Sequence, residues 1–61
     1  MTIAEFIRYI KKQGIKFYAH GARHDVYRNP VTGATAQIPR HQSKDIKKGT
    51  MDKILKDLGL K

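Results

Sequence analysis

Residues 15–39 read IKFYAHGARHDVYRNPVTGATAQIP, and this stretch decides the fold. In its first part Ile15, Phe17 and Ala19 alternate with polar or amphipathic residues, which is typical of a strand with one face in water. Gly, Asn and Pro then interrupt the pattern twice, at positions where they favour turns. The stretch therefore predicts an antiparallel meander of three short strands joined by turns, at residues 15–20, 24–28 and 34–39.

An amphipathic helix is predicted on each side of the meander. Thr2 and Glu5 have the spacing of a capping box, and apolar residues then recur with helical spacing as far as Ile10. Gly14 supplies the stop, so the pattern predicts a helix over residues 2–13. Near the other end, Thr50 is the predicted N-cap of a second helix, with Asp52 in its first turn. Its apolar stripe is Met51, Ile54, Leu55 and Leu58, closed by Gly59.

The order helix, three strands, helix predicts an α+β fold, α-β-β-β-α, in one domain of residues 1–61. Both helices are expected on one face of the three-stranded antiparallel sheet, which leaves the other face open for binding or chemistry. Residues 40–48 are polar and basic and predict a loop. A chain of 61 residues buries only about 60% of the surface that it exposes when unfolded, so its stability is expected to be marginal.

Composition excludes several classes of protein. There is no Cys, so a disulfide, a thiolate nucleophile and a thiolate zinc site are excluded. No apolar run reaches the roughly 20 residues of a membrane span, and no signal peptide is visible, so we expect a cytoplasmic protein that does not bind membrane. His20 and His24 are separated by a predicted turn, and no acidic cluster accompanies them. The sequence therefore predicts neither a metal site nor a cofactor.

Net charge indicates the partner. Thirteen Lys and Arg residues against five Asp and Glu residues give +8. Such an excess favours a polyanion, because each cation placed on a phosphate releases condensed counterions. Nucleic acid is the predicted ligand, and an acidic protein partner is compatible with the same surface.

Three segments together resemble the HicA family. They are the opening helix that ends Lys12-Gln13-Gly14, the segment from Gly21 to Arg28, and the run from Ile38 through Lys47-Lys48-Gly49-Thr50 to Leu60. The middle segment is similar to the family's Gly-Ser-His followed by an apolar residue and Tyr. Here Ala22 and Arg23 precede the His, and Ala22 lacks the freedom of Gly to adopt positive φ. We therefore expect a different approach of this backbone to RNA.

The resemblance implies a toxin of a type II toxin–antitoxin pair, an mRNA interferase held inactive by a HicB-like antitoxin. It also implies a fold similar to the double-stranded-RNA-binding domain, and His24 as the catalytic residue. Considered without the resemblance, His20 and His41 remain alternatives to His24, because any imidazole can carry a proton near neutral pH. No second proton carrier is evident.

The predicted RNA contacts are cationic or aromatic. Cations would meet the charge on phosphate oxygens, and the predicted phosphate ligands are Arg23, Arg28, Arg40, Lys44, Lys47 and Lys48. Tyr18 and Tyr27 would either stack on unpaired bases or pack at the edge of the sheet.

Three alternatives stay open at this stage. Lys47-Lys48-Gly49 is either an anion site opening the second helix or a solvated loop. Val26 shares the parity of His24, so if Val26 is buried, His24 must lie at the start of the strand or beyond a bulge to reach solvent. A non-catalytic RNA-binding module of the double-stranded-RNA-binding type is the alternative to an enzyme.

Overall fold

The computed structural model describes all 61 residues and has the predicted order of elements. The elements are α1 (Ile3–Lys12), β1 (Lys16–His20), β2 (His24–Arg28), β3 (Thr35–Pro39) and α2 (Lys48–Asp57). Neither helix has the length and apolar character of a membrane-spanning segment.

Helix α1 begins and ends for the reasons its sequence predicts. The Glu5 N–H donates to Thr2 Oγ1 at 3.1 Å, and the Thr2 N–H donates to Glu5 Oε1 at 2.8 Å, which closes the capping box. These bonds to Thr2 hold the pKa of the Glu5 carboxyl below its usual value. Gly14 follows the helix with φ +94°, a conformation that favours glycine.

The three strands form one antiparallel sheet in the order β1-β2-β3, so β2 is central. Strand β2 pairs with β3 without interruption, from His24 opposite Pro39 to Arg28 opposite Thr35. Between β1 and β2 the register shifts after Phe17, which leaves Tyr18 as a bulge. The strict alternation predicted for residues 15–20 was therefore wrong, because a bulge moves the following residues to the opposite face.

Each face of the sheet has its own character. Tyr27, Ala36 and Ile38 are buried against the helices, whereas Thr35 and Gln37 point the other way and are exposed. Strand parity places His24 and Val26 with these exposed residues. We call this side the open face, and its members on β2 and β3 are His24, Val26, Arg28, Thr35, Gln37 and Pro39.

One apolar core holds the elements together, and α1 supplies the largest share. It contains eleven buried residues: Ile3, Phe6, Ile7, Ile10, Ile15, Tyr27, Ala36, Ile38, Ile46, Ile54 and Leu58. Asn29 is also buried, and its Nδ2 donates to the Leu58 carbonyl at 2.9 Å. This hydrogen bond ties the C-terminal end of α2 to the turn between β2 and β3, so α2 starts near the end of the sheet where His24 lies.

Helix α2 begins earlier than predicted. Thr50 is not its cap: the helix starts at Lys48, and the N-cap residue Lys47 makes no side-chain cap bond. Asp52 lies beyond the first turn and pairs instead with Lys61 at 2.7 Å. The cause is tertiary, since Ile46 is buried and its N–H donates to the Met1 carbonyl at 3.0 Å. That anchor fixes the chain immediately before the helix.

Candidate active site

His24 is the first residue of β2 and is exposed on the open face. Val26 lies on the same face and is half-buried, whereas the next residue of β2, Tyr27, points into the core. Val26 is thus not a core residue, and β2 needs no bulge to bring His24 to solvent. The regular parity of the strand is sufficient.

His24 stands between two hollows. A cleft of about 440 Å³ separates β3 from α2, and its walls include His24, Thr35, Gln37, Thr50, Lys53 and Asp57. A second hollow of about 310 Å³ is formed with the β1–β2 loop and includes Gly21, Arg23, His24, Val26 and Gln37. His24 and Gln37 line both. A flexible chain that followed the open face from one hollow to the other would pass the His24 imidazole.

The loop before His24 depends on a close backbone approach. The Gly21 N–H donates to the His24 carbonyl at 2.7 Å. A Cβ added to Gly21 would lie 2.5 Å from that carbonyl oxygen, a distance that real side chains do not tolerate. Ala22, by contrast, has no positive φ, and neither does any other non-glycine residue. Ala22 therefore adopts no conformation that requires glycine, and the predicted difference in the approach of this backbone to RNA stays a prediction; the residue that has to be glycine is Gly21.

An ion cluster fixes the same loop from the core side of the sheet. Arg40 Nε donates to Asp25 Oδ1 at 2.8 Å, and Arg40 Nη2 donates to the Gly21 carbonyl. The same Asp25 oxygen lies 2.9 Å from His20 Nδ1. Hydrogen bonds from Arg40 first, and then from His20, hold the pKa of Asp25 below its usual value. We call these four residues, Asp25, Arg40, His20 and Gly21, the Asp25 clasp.

The clasp changes the interpretation of Arg40. It was predicted as a phosphate ligand, but two of its donor nitrogens are used within the protein and its charge is paired with Asp25. A guanidinium committed in this way is a poorer ligand for an external phosphate than an unpaired one.

Tyr27 is a core residue. Its side chain is only 4% exposed, and the ring makes an edge-to-face contact with Phe17 at 5.8 Å between centroids. Burial, together with the Asp25 charge, raises the pKa of the Tyr27 phenol. The predicted contact of Tyr27 with RNA was therefore wrong, because a buried ring cannot stack on a base. Tyr18 in the bulge is 61% exposed and lies against the Arg28 guanidinium, 5.7 Å from ring centroid to Cζ.

The other predicted phosphate ligands are distributed around the open face. Arg23 lines the second hollow with His24, whereas Arg28 lies at the far end of β2, about 13 Å away at the usual rise per residue. Lys44 and Lys47 belong to the loop before α2, and Lys48 is the first residue of that helix. The Lys44 carbonyl accepts from the Ile3 N–H at 2.8 Å, so this loop is fixed against the start of α1.

Sequence reasoning missed five polar residues that share the cleft with His24. They are Thr35 and Gln37 on β3 and Thr50, Lys53 and Asp57 on α2. The three α2 residues are spaced by three and four positions, off the apolar stripe, so they form a polar stripe on one face of the helix. That spacing was a usable signal, but only the position of α2 beside β3 shows that the stripe faces His24. No group of three or more His, Asp or Glu side chains is placed to hold a metal ion.

Fold and site define a class: a small, basic α-β-β-β-α protein that presents one histidine on an open sheet face beside cationic side chains. The comparisons agree with it. The family model described as the HicA toxin of bacterial toxin–antitoxin matches residues 3–60. The chain belongs to this HicA toxin family.

Two relatives support the assignment. The Pseudomonas fluorescens (strain Pf0-1) protein named "Probable mRNA interferase HicA" is 33% identical over 61 residues, which cover 100% of this chain and 98% of that protein. A chain in the crystal structure of the E. coli HicAB toxin–antitoxin complex superposes with a TM-score of 0.82 at 36% identity. The match covers 95% of this chain and 96% of that one. The predicted family and the predicted fold are both confirmed.

Proposed function

We propose that the protein is the toxin of a toxin–antitoxin pair and acts as a metal-independent endoribonuclease on mRNA in the cytoplasm. Family membership and the name of the Pseudomonas relative support the activity. The observation that carries the assignment to a site is the exposed His24 between two hollows, on the open face of a chain with net charge +8.

Metal-free cleavage of RNA requires two proton transfers. The 2′-hydroxyl loses a proton as its oxygen attacks the adjacent phosphorus, and the 5′-oxygen of the leaving nucleotide gains one. We assign one of these transfers to His24, because an imidazole can accept or donate a proton near neutral pH. The reaction leaves a 2′,3′-cyclic phosphate on one product and a 5′-hydroxyl on the other.

Cations around His24 would stabilise the charge that develops on the phosphate. Lys53 faces His24 across the cleft between β3 and α2, and Arg23 lies with His24 in the second hollow. Fixed cations act best where the transition state gathers negative charge. A single strand crossing His24 would therefore meet a positive side chain on each side of the scissile phosphate.

The start of α2 would extend this binding surface. Lys47 and Lys48 lie at an N-terminus that carries no acidic residue in its first turn and no side-chain cap. The helix dipole and both ammonium groups favour an anion there. Arg28 and Lys44 complete the proposed set of phosphate ligands, whereas Arg40 is engaged in the Asp25 clasp.

Replacing Lys47 and Lys48 together by Ala is expected to flatten the salt dependence of RNA binding. On single strands the log–log slope changes by about 0.7 for each contacted phosphate, so losing two contacts should reduce its magnitude by about 1.4. The matched control replaces Lys11 and Lys12, which also removes two charges, but on α1, on the side of the sheet away from the open face. Fluorescence anisotropy at several salt concentrations measures both slopes. Equal slopes for the two variants would remove Lys47 and Lys48 from the RNA surface.

The antitoxin is proposed to be an acidic, HicB-like protein that covers His24. The E. coli relative was crystallised in a HicAB toxin–antitoxin complex. A partner that masks the positive surface next to His24 would exclude the phosphates that the surface attracts, because complementary charges place the two proteins in register.

Incubation of the purified protein with mRNA in EDTA tests the proposal. We expect endonucleolytic cleavage that persists in the chelator and stops when an acidic antitoxin is added. A mobility shift without cleavage would instead identify a non-catalytic RNA-binding module. If the protein produced no mobility shift and no cleavage, RNA would be excluded as its ligand.

A further inference from the structure

We propose that Arg40 and Asp25 are positioning residues that hold His24 in place for the reaction. The proposal rests on the proposed function of His24 and adds residues that do not touch the RNA. The clasp reaches His24 through the backbone of the β1–β2 loop. The Asp25 side chain lies on the core side of the sheet, and the His24 side chain lies on the open face.

The chain of contacts is short and continuous. Arg40 follows β3 directly, and its guanidinium bonds both the Asp25 carboxylate and the Gly21 carbonyl. Gly21 in turn donates its N–H to the His24 carbonyl at 2.7 Å. The loop that precedes His24 is therefore tied to the end of β3, across the central strand. Without Arg40, the Gly21 carbonyl and the Asp25 carboxylate both lose this partner.

Gly21 shows how little freedom this connection allows. A Cβ at this position would lie 2.5 Å from the His24 carbonyl oxygen, so the two backbones are as close as a glycine permits. Displacing a catalytic group by about 1 Å can lower a rate about 10²-fold, because the reacting atoms must meet within a narrow geometry. A loop held at this distance is suited to such a requirement.

The charges of the clasp distinguish positioning from phosphate binding. Asp25 is an anion close to a surface that we propose binds RNA, and it faces Arg40 from the end of β3 and His20 from β1. An anion there repels phosphate, so its removal should favour RNA binding through charge alone. If Asp25 positions His24, its removal should nevertheless lower the rate of cleavage. The two effects have opposite signs.

Asp25→Asn is the central variant, and Asp52→Asn is its matched control. Each removes one carboxylate that is paired with a cation, Arg40 for Asp25 and Lys61 for Asp52, and each raises the net charge from +8 to +9. We expect Asp25→Asn to lower the cleavage rate at saturating RNA about 10- to 100-fold, with RNA affinity unchanged or higher. Asp52→Asn should cleave at the normal rate. A normal rate for Asp25→Asn would overturn the proposal.

Arg40→Lys separates the two roles of the arginine. Lysine keeps the charge but cannot bond Asp25 and Gly21 with one planar group. Positioning predicts a fall in the rate at saturating RNA with little change in affinity. Phosphate binding predicts a nearly normal enzyme for Arg40→Lys. For Arg40→Ala, phosphate binding predicts weaker affinity, a salt slope smaller by about 0.7 and an unchanged saturated rate. The results that phosphate binding predicts for Arg40→Lys and Arg40→Ala would contradict the proposal.

A readout independent of activity separates this proposal from the proposed function. NMR chemical shifts of the His24 ring and backbone amide are expected to move in Asp25→Asn and Arg40→Lys, and to stay in place in Asp52→Asn. Thermal melting by circular dichroism confirms that each variant is folded. If the wild-type protein did not cleave RNA, the proposed function would fail while these shifts still tested the clasp. Unmoved His24 resonances in folded clasp variants would overturn it.

Discussion

His24→Ala is expected to lower the rate of RNA cleavage by about 10²- to 10⁴-fold, the usual contribution of a general acid or base. RNA affinity should change little, because the proposed phosphate ligands are arginines and lysines. The fold should also survive, since His24 is exposed and surface substitutions usually alter the free energy of unfolding by no more than about 0.5 kcal/mol. Single-turnover cleavage at saturating RNA measures the loss separately from binding.

His41→Ala provides the comparison. His41 is also exposed, but it lies in the loop after β3 and lines neither hollow beside His24. We expect it to cleave normally. Normal cleavage by His24→Ala together with loss of activity in His41→Ala would move the proton transfer to His41. Normal cleavage by both would leave the enzyme without an assigned imidazole at either position.

A 2′-deoxy nucleotide on the 5′ side of the scissile bond is expected to abolish cleavage at that bond. In the proposed mechanism the nucleophile is the 2′-hydroxyl of the RNA, and a nucleotide without it has no group to attack the phosphorus. Binding should be retained, because the phosphates are unchanged and dominate affinity. The measurement compares matched oligonucleotides that differ in one oxygen, with the position of cleavage read on a sequencing gel.

The products give the same information in another form. The unmodified RNA should end in a 2′,3′-cyclic phosphate, which mass spectrometry distinguishes from a linear phosphate by the mass of one water. Cleavage of the deoxy substrate at the same bond would mean that water or a side chain attacks the phosphorus. The assignment of the 2′-hydroxyl as nucleophile would then be wrong.

Local signals made most of the fold predictable. The limits of α1 followed from the sequence because the signals that set them are local. They are the capping box of Thr2 and Glu5 at its start and Gly14 just after its end. The start of α2 did not follow. Thr50 is a good cap by type, but the anchor is the buried Ile46, and its hydrogen bond to Met1 joins residues that are 45 positions apart in sequence. Local propensity cannot detect a contact of that kind.

The candidate site was also predictable only in part. The segment pattern marked His24 as the candidate residue, but the sequence left open how its side chain reaches solvent, and only the structure places it on the exposed side of β2. The prediction that Tyr27 contacts RNA failed because a tyrosine that stacks on a base and one that packs in the core look the same in a sequence. Only the position of Tyr27 in β2 shows which face of the sheet its ring lies on. The ion pair of Arg40 was missed for a related reason: its partner Asp25 is 15 residues away in sequence, and the two side chains meet only because β2 and β3 pair antiparallel.

At the start of α2, the residues that would best stabilise the helix differ from those that would best bind RNA. Lys47 occupies a position where Ser, Thr, Asp or Asn commonly adds about 1 kcal/mol to helix stability, and Lys48 follows it at the positive end of the helix dipole. Both lysines are poor choices for folding and good ones for holding a polyanion. An engineer who repaired the cap with Asp would raise the melting temperature of this small protein. The same change would place a negative charge on the surface through which we propose that it holds its substrate, so a more durable protein would be a weaker toxin.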